Sequence, residues 1–191
     1  MLFNKKVVVI SGYSGVGKST LIKHVLKNFN QTKLSVSCTT RTPRPGEYDG
    51  QDYYFIDKNK FKTLIANNEF IEYTECFGNY YGTLKSEINQ ILDNDLICIL
   101  DIEFEGAYNV LVKNILGNDI DCVGILIEAP CRDDLKTRLI ARGEQLSAID
   151  ARMSNKRFPE NFSKMYKYKI MNNILKNAQR NIINIFKEVI G

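Results

Sequence analysis

The first apolar run of the chain is Val7-Val8-Val9-Ile10, four β-branched residues without a polar interruption. Such a run predicts a strand buried on both faces, and Lys5–Ser11 reads as the central strand of a parallel sheet. A glycine-rich turn follows. Leu21, Ile22, Val25, Leu26 and Phe29 then recur on one helical face, which predicts a helix over Ser19–Phe29. Leu34–Thr40 reads as a second strand. Arg41–Gln51 carries Pro43, Pro45, Gly46 and Gly50 and reads as turns.

Asp52–Ile56 and Phe70–Phe77 read as strands, separated by a short helix near Lys58–Asn68, with a further extended piece at Tyr80–Gly82. The stretch from about 34 to 83 is therefore β-rich. Strand and helix alternate after it. The pattern predicts a helix over Leu84–Asp93, a strand over Leu96–Ile102, a helix over Phe104–Leu116 and a strand over Asp121–Glu128. A helix over Arg132–Arg142, a short strand near Tyr168–Met171 and an amphipathic helix over Ile174–Ile190 complete the chain. Gly143–Asn155 is polar, has only a weak apolar pattern and reads as mobile. The prediction is an α/β fold: a central parallel sheet flanked by helices, with a small β-rich lobe inserted.

Composition narrows the function. A length of 191 residues suits one domain with a sizeable core. No apolar run approaches the roughly 18 residues of a membrane span. The apolar run near the N-terminus is too short for a signal peptide, so a cytosolic location is expected. Cys38, Cys76, Cys98, Cys122 and Cys131 are odd in number, scattered and without a CxxC pair, which argues against a disulfide framework or a zinc site. The single histidine, His24, sits in a predicted helix among apolar neighbours, which nearly excludes Ser-His catalysis. The formal net charge is +4, and the basic residues form no patch interleaved with aromatics. Nucleic acid is thus not an expected partner, whereas a small anionic ligand is permitted.

Gly12-Tyr13-Ser14-Gly15-Val16-Gly17-Lys18-Ser19 fits G-x-x-x-x-G-K-[ST] and lies between a predicted strand and a predicted helix. Glycines let successive backbone N–H groups turn towards phosphate oxygens, and the helix N-terminus adds partial positive charge. Lys18 can reach the β- and γ-phosphates of a nucleotide, and Ser19 can ligand Mg²⁺. Residues from Gly12 to Ser19, with Thr20 behind them, form the candidate nucleotide-phosphate site. An incidental lysine in a glycine turn would not require the strand before it and the helix after it.

Ser37-Cys38-Thr39-Thr40-Arg41-Thr42-Pro43-Arg44-Pro45-Gly46-Glu47 places arginines three positions apart in a proline-stiffened loop. Guanidinium forks match phosphate oxygens bidentately, and a stiff loop loses little entropy on binding. Taken singly, Arg41 and Arg44 would be surface charges, Tyr53 and Tyr81 packing aromatics, and Glu72 a solvated strand residue. Their ordered combination overturns those readings. It continues through Asp49-Gly50-Gln51-Asp52-Tyr53-Tyr54-Phe55, Glu69-Phe70-Ile71-Glu72, Gly78-Asn79-Tyr80-Tyr81-Gly82-Thr83 and Ile99-Leu100-Asp101-Ile102. From the phosphate loop to about Asn172 the chain resembles the guanylate kinases.

The resemblance implies a single P-loop kinase domain in three parts: a core at about 1–33, 84–142 and 156–191, a GMP-binding lobe at about 34–83 and a mobile lid at about 143–155. It implies transfer of the γ-phosphoryl group of MgATP to GMP, and to dGMP, in a cytoplasmic monomer or homodimer acting in purine nucleotide metabolism. Arg41, Arg44, Tyr53 and Tyr81 resemble the clamp on the GMP phosphate. Ser37, Glu72, Thr83 and Asp101 resemble the guanine readers. An ionised Glu72 would accept from N1–H and the N2 amine of guanine, a donor edge that adenine lacks. Asp101 ends an apolar strand, where a carboxylate can orient either guanine or metal-bound water. Asn172 resembles an adenine-proximal asparagine. Arg138, Arg142 and Arg152 resemble lid arginines that, with Lys18 and Arg44, neutralise the transferring phosphoryl group. Four departures stand out: the interval from Arg142 to Arg152 is one residue shorter than the family's, Pro159 stands where the family has glutamate, Glu103 where it commonly has aspartate, and Glu105 where it has glutamine. Glu103 faces the same way as Asp101 if the strand persists. The alternatives are a guanylate-kinase-like peptide-binding module without catalysis, and a P-loop kinase for another nucleoside monophosphate.

Overall fold

Burial along both faces sets β1 (Lys5–Gly12) at the centre of the molecule, as its unbroken apolar run requires. A computed structural model describes residues 5–76, 78–141, 143, 149 and 162–191. β1 pairs in parallel with β7 (Ile97–Asp101) on one side and β8 (Ile120–Glu128) on the other. β2 (Thr32–Leu34) lies outside β7 and β9 (Tyr168–Met171) outside β8, giving the order β2-β7-β1-β8-β9.

Alternate side chains of β1 feed two cores. Val8 and Ile10 pack with Leu21, Ile22 and Val25 of α1 (Lys18–Asn28) and with Ile182 and Phe186 of α6 (Leu175–Ile190). Val7 and Val9 pack with Ile88 and Ile91 of α3 (Lys85–Asp93) and Ala107 and Val110 of α4 (Phe104–Leu111). The helix over 132–142 begins as predicted, as α5 (Arg132–Ala141), while Arg142 lies outside the described residues. Among the described residues, no helix is long and apolar enough to cross a membrane.

The inserted lobe is a second sheet, ordered β4-β3-β6-β5, with β3 at Cys38–Thr39, β4 at Tyr54–Phe55, β5 at Phe70–Cys76 and β6 at Asn79–Leu84. α2 (Lys58–Ala66) covers it, its N-terminus capped by the Asp57 carboxylate accepting from Lys60 N–H at 2.8 Å. The lobe's own core is small. Phe61 is fully buried and stacks on Phe70 at 4.5 Å and on Tyr80 at 5.3 Å.

Three expected elements differ. The strand expected over Leu34–Thr40 is split between the two sheets. Ser35 N–H still donates to Ile99 O at 2.9 Å, but Ser37 O already accepts from Tyr54 N–H at 2.9 Å, so the chain crosses from core to lobe at Ser35–Ser37. The helix expected over Phe104–Leu116 stops at Leu111, because Lys113 N–H turns back to Tyr108 O and Asn114 adopts φ +50°. The strand expected over Asp52–Ile56 contracts to the two residues of β4. Of the expected lid at about 143–155, only 143 and 149 belong to the described residues, and Pro159 lies outside them.

Candidate active site

The carboxyl end of β1 runs straight into the phosphate loop. Gly17 caps α1 at φ +101°, and a Cβ there would meet Asn172 Nδ2 at 2.5 Å. The motif's second glycine is therefore needed both for backbone hand and for space. Lys18 Nζ donates to Gly12 O at 2.8 Å and lies 3.7 Å from the Asp101 carboxylate. Register explains that proximity: Asp101, last in β7, sits beside Ile10 of β1. Burial raises the Asp101 carboxyl above its ordinary value, and the Lys18 ammonium opposes that rise.

The facing wall belongs to the lobe. Arg41 grips Glu47 bidentately at 2.9 and 3.0 Å, and Arg44 N–H donates to the same carboxylate at 2.8 Å. Burial opposes the charge on Glu47, but the Arg41 fork outweighs it and holds that carboxyl below its ordinary value. The Arg41 guanidinium lies 5.5 Å from the Tyr53 ring centre, and Tyr53 meets Tyr81 edge-on at 6.1 Å. One guanidinium and both phenols thus share one corner.

Glu72 is only 7% exposed. A bulge explains how it faces the cleft. Phe70 pairs with Leu84 and Glu72 with Thr83, so Ile71 is an extra residue in β5. Leu84 and Thr83 are successive and point to opposite sides of the sheet. Phe70 therefore enters the lobe core while Glu72 enters the cleft. Thr83 Oγ1 donates to Glu72 Oε1 at 2.7 Å, and the Ser37 hydroxyl lies 3.5 Å from that of Thr83. Burial pushes the Glu72 carboxyl up to about 7; the Thr83 bond opposes the shift, and the charges of Glu103 and Glu105 add to it.

A cleft of about 660 Å³ joins the two walls. Tyr13–Gly15 and Gly17–Thr20 line it from the loop. Ser37, Arg41, Arg44, Tyr53, Glu72 and Tyr81 line it from the lobe. Asp101, Arg138 and Asn172 complete the expected set. Gly12, Val16 and Thr83 stand behind the lining: Val16 is fully buried and its N–H donates to Tyr13 O, while Thr83 acts on Glu72. Arg138 donates to Val16 O at 3.2 Å and to Asn172 O at 2.6 Å, and Asn172 Nδ2 also donates to Val16 O, at 2.8 Å. Both side chains thus brace the phosphate loop. Arg142 and Arg152 lie outside the described residues.

Sequence reasoning left some lining residues unnamed. Thr74 and Cys76 line the cleft because they follow Glu72 at strand spacing, a signal the period of two already contained. The strand ends at Asp101, so the condition set for Glu103 is not met; it lines the cleft instead as the N-cap residue of α4. The pairing of Glu47 with Arg41 carried no sequence signal beyond their closeness in the loop.

A phosphate loop at the end of a central parallel strand, faced by an inserted lobe bearing arginines and a buried carboxyl, defines a P-loop nucleoside monophosphate kinase. Comparison with known proteins is specific. The family model described as "Guanylate kinase" matches residues 4–189. The chain is 41% identical over 181 residues to the guanylate kinase of Shewanella frigidimarina, covering 94% of this chain and 85% of that one. It is 38% identical over 177 residues to the guanylate kinase of Clostridium perfringens strain SM101, covering 92% and 80%. The crystal structure of guanylate kinase from Anaplasma phagocytophilum superposes with a TM-score of 0.70 at 28% identity, covering 96% of this chain and 85% of that one. The chain belongs to the guanylate kinase family, and the activity that membership carries is ATP-dependent phosphorylation of GMP.

Proposed function

We propose that MgATP lies along the phosphate loop, that GMP lies against the lobe, and that the phosphoryl group passes directly between them. The observation that carries this reading is the buried Glu72 carboxyl, held by Thr83 in the same cleft as Lys18. A GMP phosphate oxygen forms the new bond to the γ-phosphorus while the bond from that phosphorus to the β–γ bridging oxygen breaks. No side chain becomes covalently attached.

Each residue then has a task. Arg41, Arg44, Tyr53 and Tyr81 hold the GMP phosphate, which shares the Arg41 fork with Glu47 or displaces it. Glu72, supported by Thr83 and Ser37, accepts from the guanine donor edge. Lys18 swings from Gly12 O to the charge that spreads over the transferring group. Arg138 gives up one backbone carbonyl to do the same, with Arg142 and Arg152 expected beside it by family resemblance. Asn172 holds the shape of the loop through Val16 O and, by family resemblance, lies near the adenine.

The Ser19 hydroxyl and the Asp101 carboxylate are hard oxygen donors that line the cleft at the loop, and they are the residues that would hold a Mg²⁺ there. Bound as MgATP, that ion would supply neutralising charge to the nucleotide's phosphates. The reading includes dGMP as a substrate, because the lobe addresses base and phosphate. It also includes a cytoplasmic location and a monomer or homodimer. A coupled assay of MgATP against GMP, dGMP, AMP, CMP and UMP tests it. GMP and dGMP should lead; a chain that prefers AMP or UMP would sink the assignment of the lobe.

A further inference from the structure

Gly106 is buried in the first turns of α4, where that helix packs on β5. Its backbone is not in the left-handed region. Nothing in the conformation of the helix asks for glycine, and in a helix interior glycine is normally a liability relative to alanine. The demand comes from one neighbour. A Cβ at this position would lie 2.5 Å from Glu72 Oε2, 2.8 Å from its Cδ and 3.0 Å from its Cγ. The three nearest heavy atoms all belong to that side chain.

Glu72 has no easy way to retreat. Its Oε1 is tied to the fully buried Thr83 hydroxyl at 2.7 Å, and β5 and β6 fix that pair by register. Gly106 and Thr83 therefore hold the carboxyl from two sides, one by absence and one by a hydrogen bond. We infer that Gly106 is a specificity-determining position: its missing side chain sets where the base-reading carboxyl stands, although the glycine itself touches no substrate. The inference rests on the reading of Glu72 as the guanine acceptor.

An added methyl would need an ordinary contact of 3.4 Å or more, which moves Oε2 by about 1 Å. A displacement of about 1 Å can cost up to about a hundredfold in a positioned site. The experiment is steady-state kinetics, with GMP and MgATP varied separately, on wild type, Gly106→Ala, Glu72→Asp, Glu72→Gln and the pair Gly106→Ala/Glu72→Asp. Gly106→Ala should lower kcat/KM for GMP by about ten- to a hundredfold and raise KM for GMP, leaving KM for ATP within about twofold. Glu72→Asp withdraws the carboxyl by one methylene, so adding Gly106→Ala to it should cost less than about threefold. That relief is what general helix packing would not produce.

An unchanged KM for GMP in Gly106→Ala, an equal loss for both nucleotides, or a full additional loss in the pair would overturn the inference. If Gly106→Ala does not fold, the pair should recover folding, and a pair that also fails to fold overturns it. The Glu72→Gln arm separates the two levels. If that variant is crippled with GMP while Gly106→Ala is normal, only the inference fails; if it keeps the wild-type kcat/KM for GMP, the reading of Glu72 fails and takes the inference with it.

Discussion

A carboxyl group buried without a cation keeps its proton until a ligand makes the charge worth forming. Among the described residues Glu72 is in that position, with a hydroxyl at one oxygen, the acidic Glu103 and Glu105 acting on it and a value pushed up to about 7. On the proposed reading guanine would supply the missing donors, so binding would favour the ionised form and expel the proton. The sign follows: with the empty site protonated below about 7, kcat/KM for GMP should rise by up to about tenfold per pH unit towards 7 and level off above it. The GMP phosphate itself loses its second proton near 6, by analogy with phosphoserine. Glu72→Gln should therefore retain only that lower ionisation, and identical profiles for variant and wild type between pH 6 and 8 would contradict the assignment. Lys18 makes a simpler case. Its ammonium rests on Gly12 O and near Asp101. Lys18→Ala should keep its circular dichroism spectrum and lose at least about a hundredfold in kcat, the loss of roughly 2.7 kcal/mol expected for a charge partner of the transition state. Retention of more than about a tenth of the activity would remove Lys18 from the chemistry.

Elements divide by how local their cause is. The strand–loop–helix of β1 and α1 was legible because everything it needs lies within about two dozen residues: an apolar run, a spaced set of glycines and a helical stripe. The crossing at Ser35–Ser37 was not, since an apolar pattern says that residues pair without saying with which sheet. The bulge at Ile71 was hidden for a related reason. A strict period of two puts Phe70 and Glu72 on one face, and only pairing with successive residues of β6 turns one inward to Phe61 and the other to the cleft. Family resemblance supplied the proposed role of Glu72 there, where residue patterning alone predicted a solvated side chain. The lobe depends on few large contacts, so Phe61→Ala should be severe, at about 3–5 kcal/mol for a buried aromatic truncated to alanine. Hydrogen exchange should speed up across β3 to β6 and stay slow in β1, β7 and β8, with GMP use falling before ATP affinity. Equal acceleration in both sheets would mean that the lobe has no stability of its own to lose.

At the scale of the molecule, two walls with cores of different size face one cleft. The phosphate wall is anchored in a sheet whose strands are covered on both faces, and Arg138 and Asn172 brace its loop through Val16 O. The base wall hangs from a four-stranded lobe with a small core, and its Arg41 fork is held by Glu47. On the proposed reading phosphate transfer needs both walls, whereas the choice of nucleotide turns on Glu72 of the lobe and on Gly106, which stands against it from α4. Base choice is thus the property in which the account is most exposed. The direct measurement is the ratio of kcat/KM for GMP to that for AMP, in wild type and in Glu72→Gln. Glutamine can accept one guanine donor, but its NH₂ then faces another donor. The weakened charge-assisted bond and the unpaired buried donor are each worth roughly 1–3 kcal/mol, so the ratio should fall by about one to three orders of magnitude, chiefly through poorer use of GMP. A ratio that does not change would mean that guanine is read somewhere else.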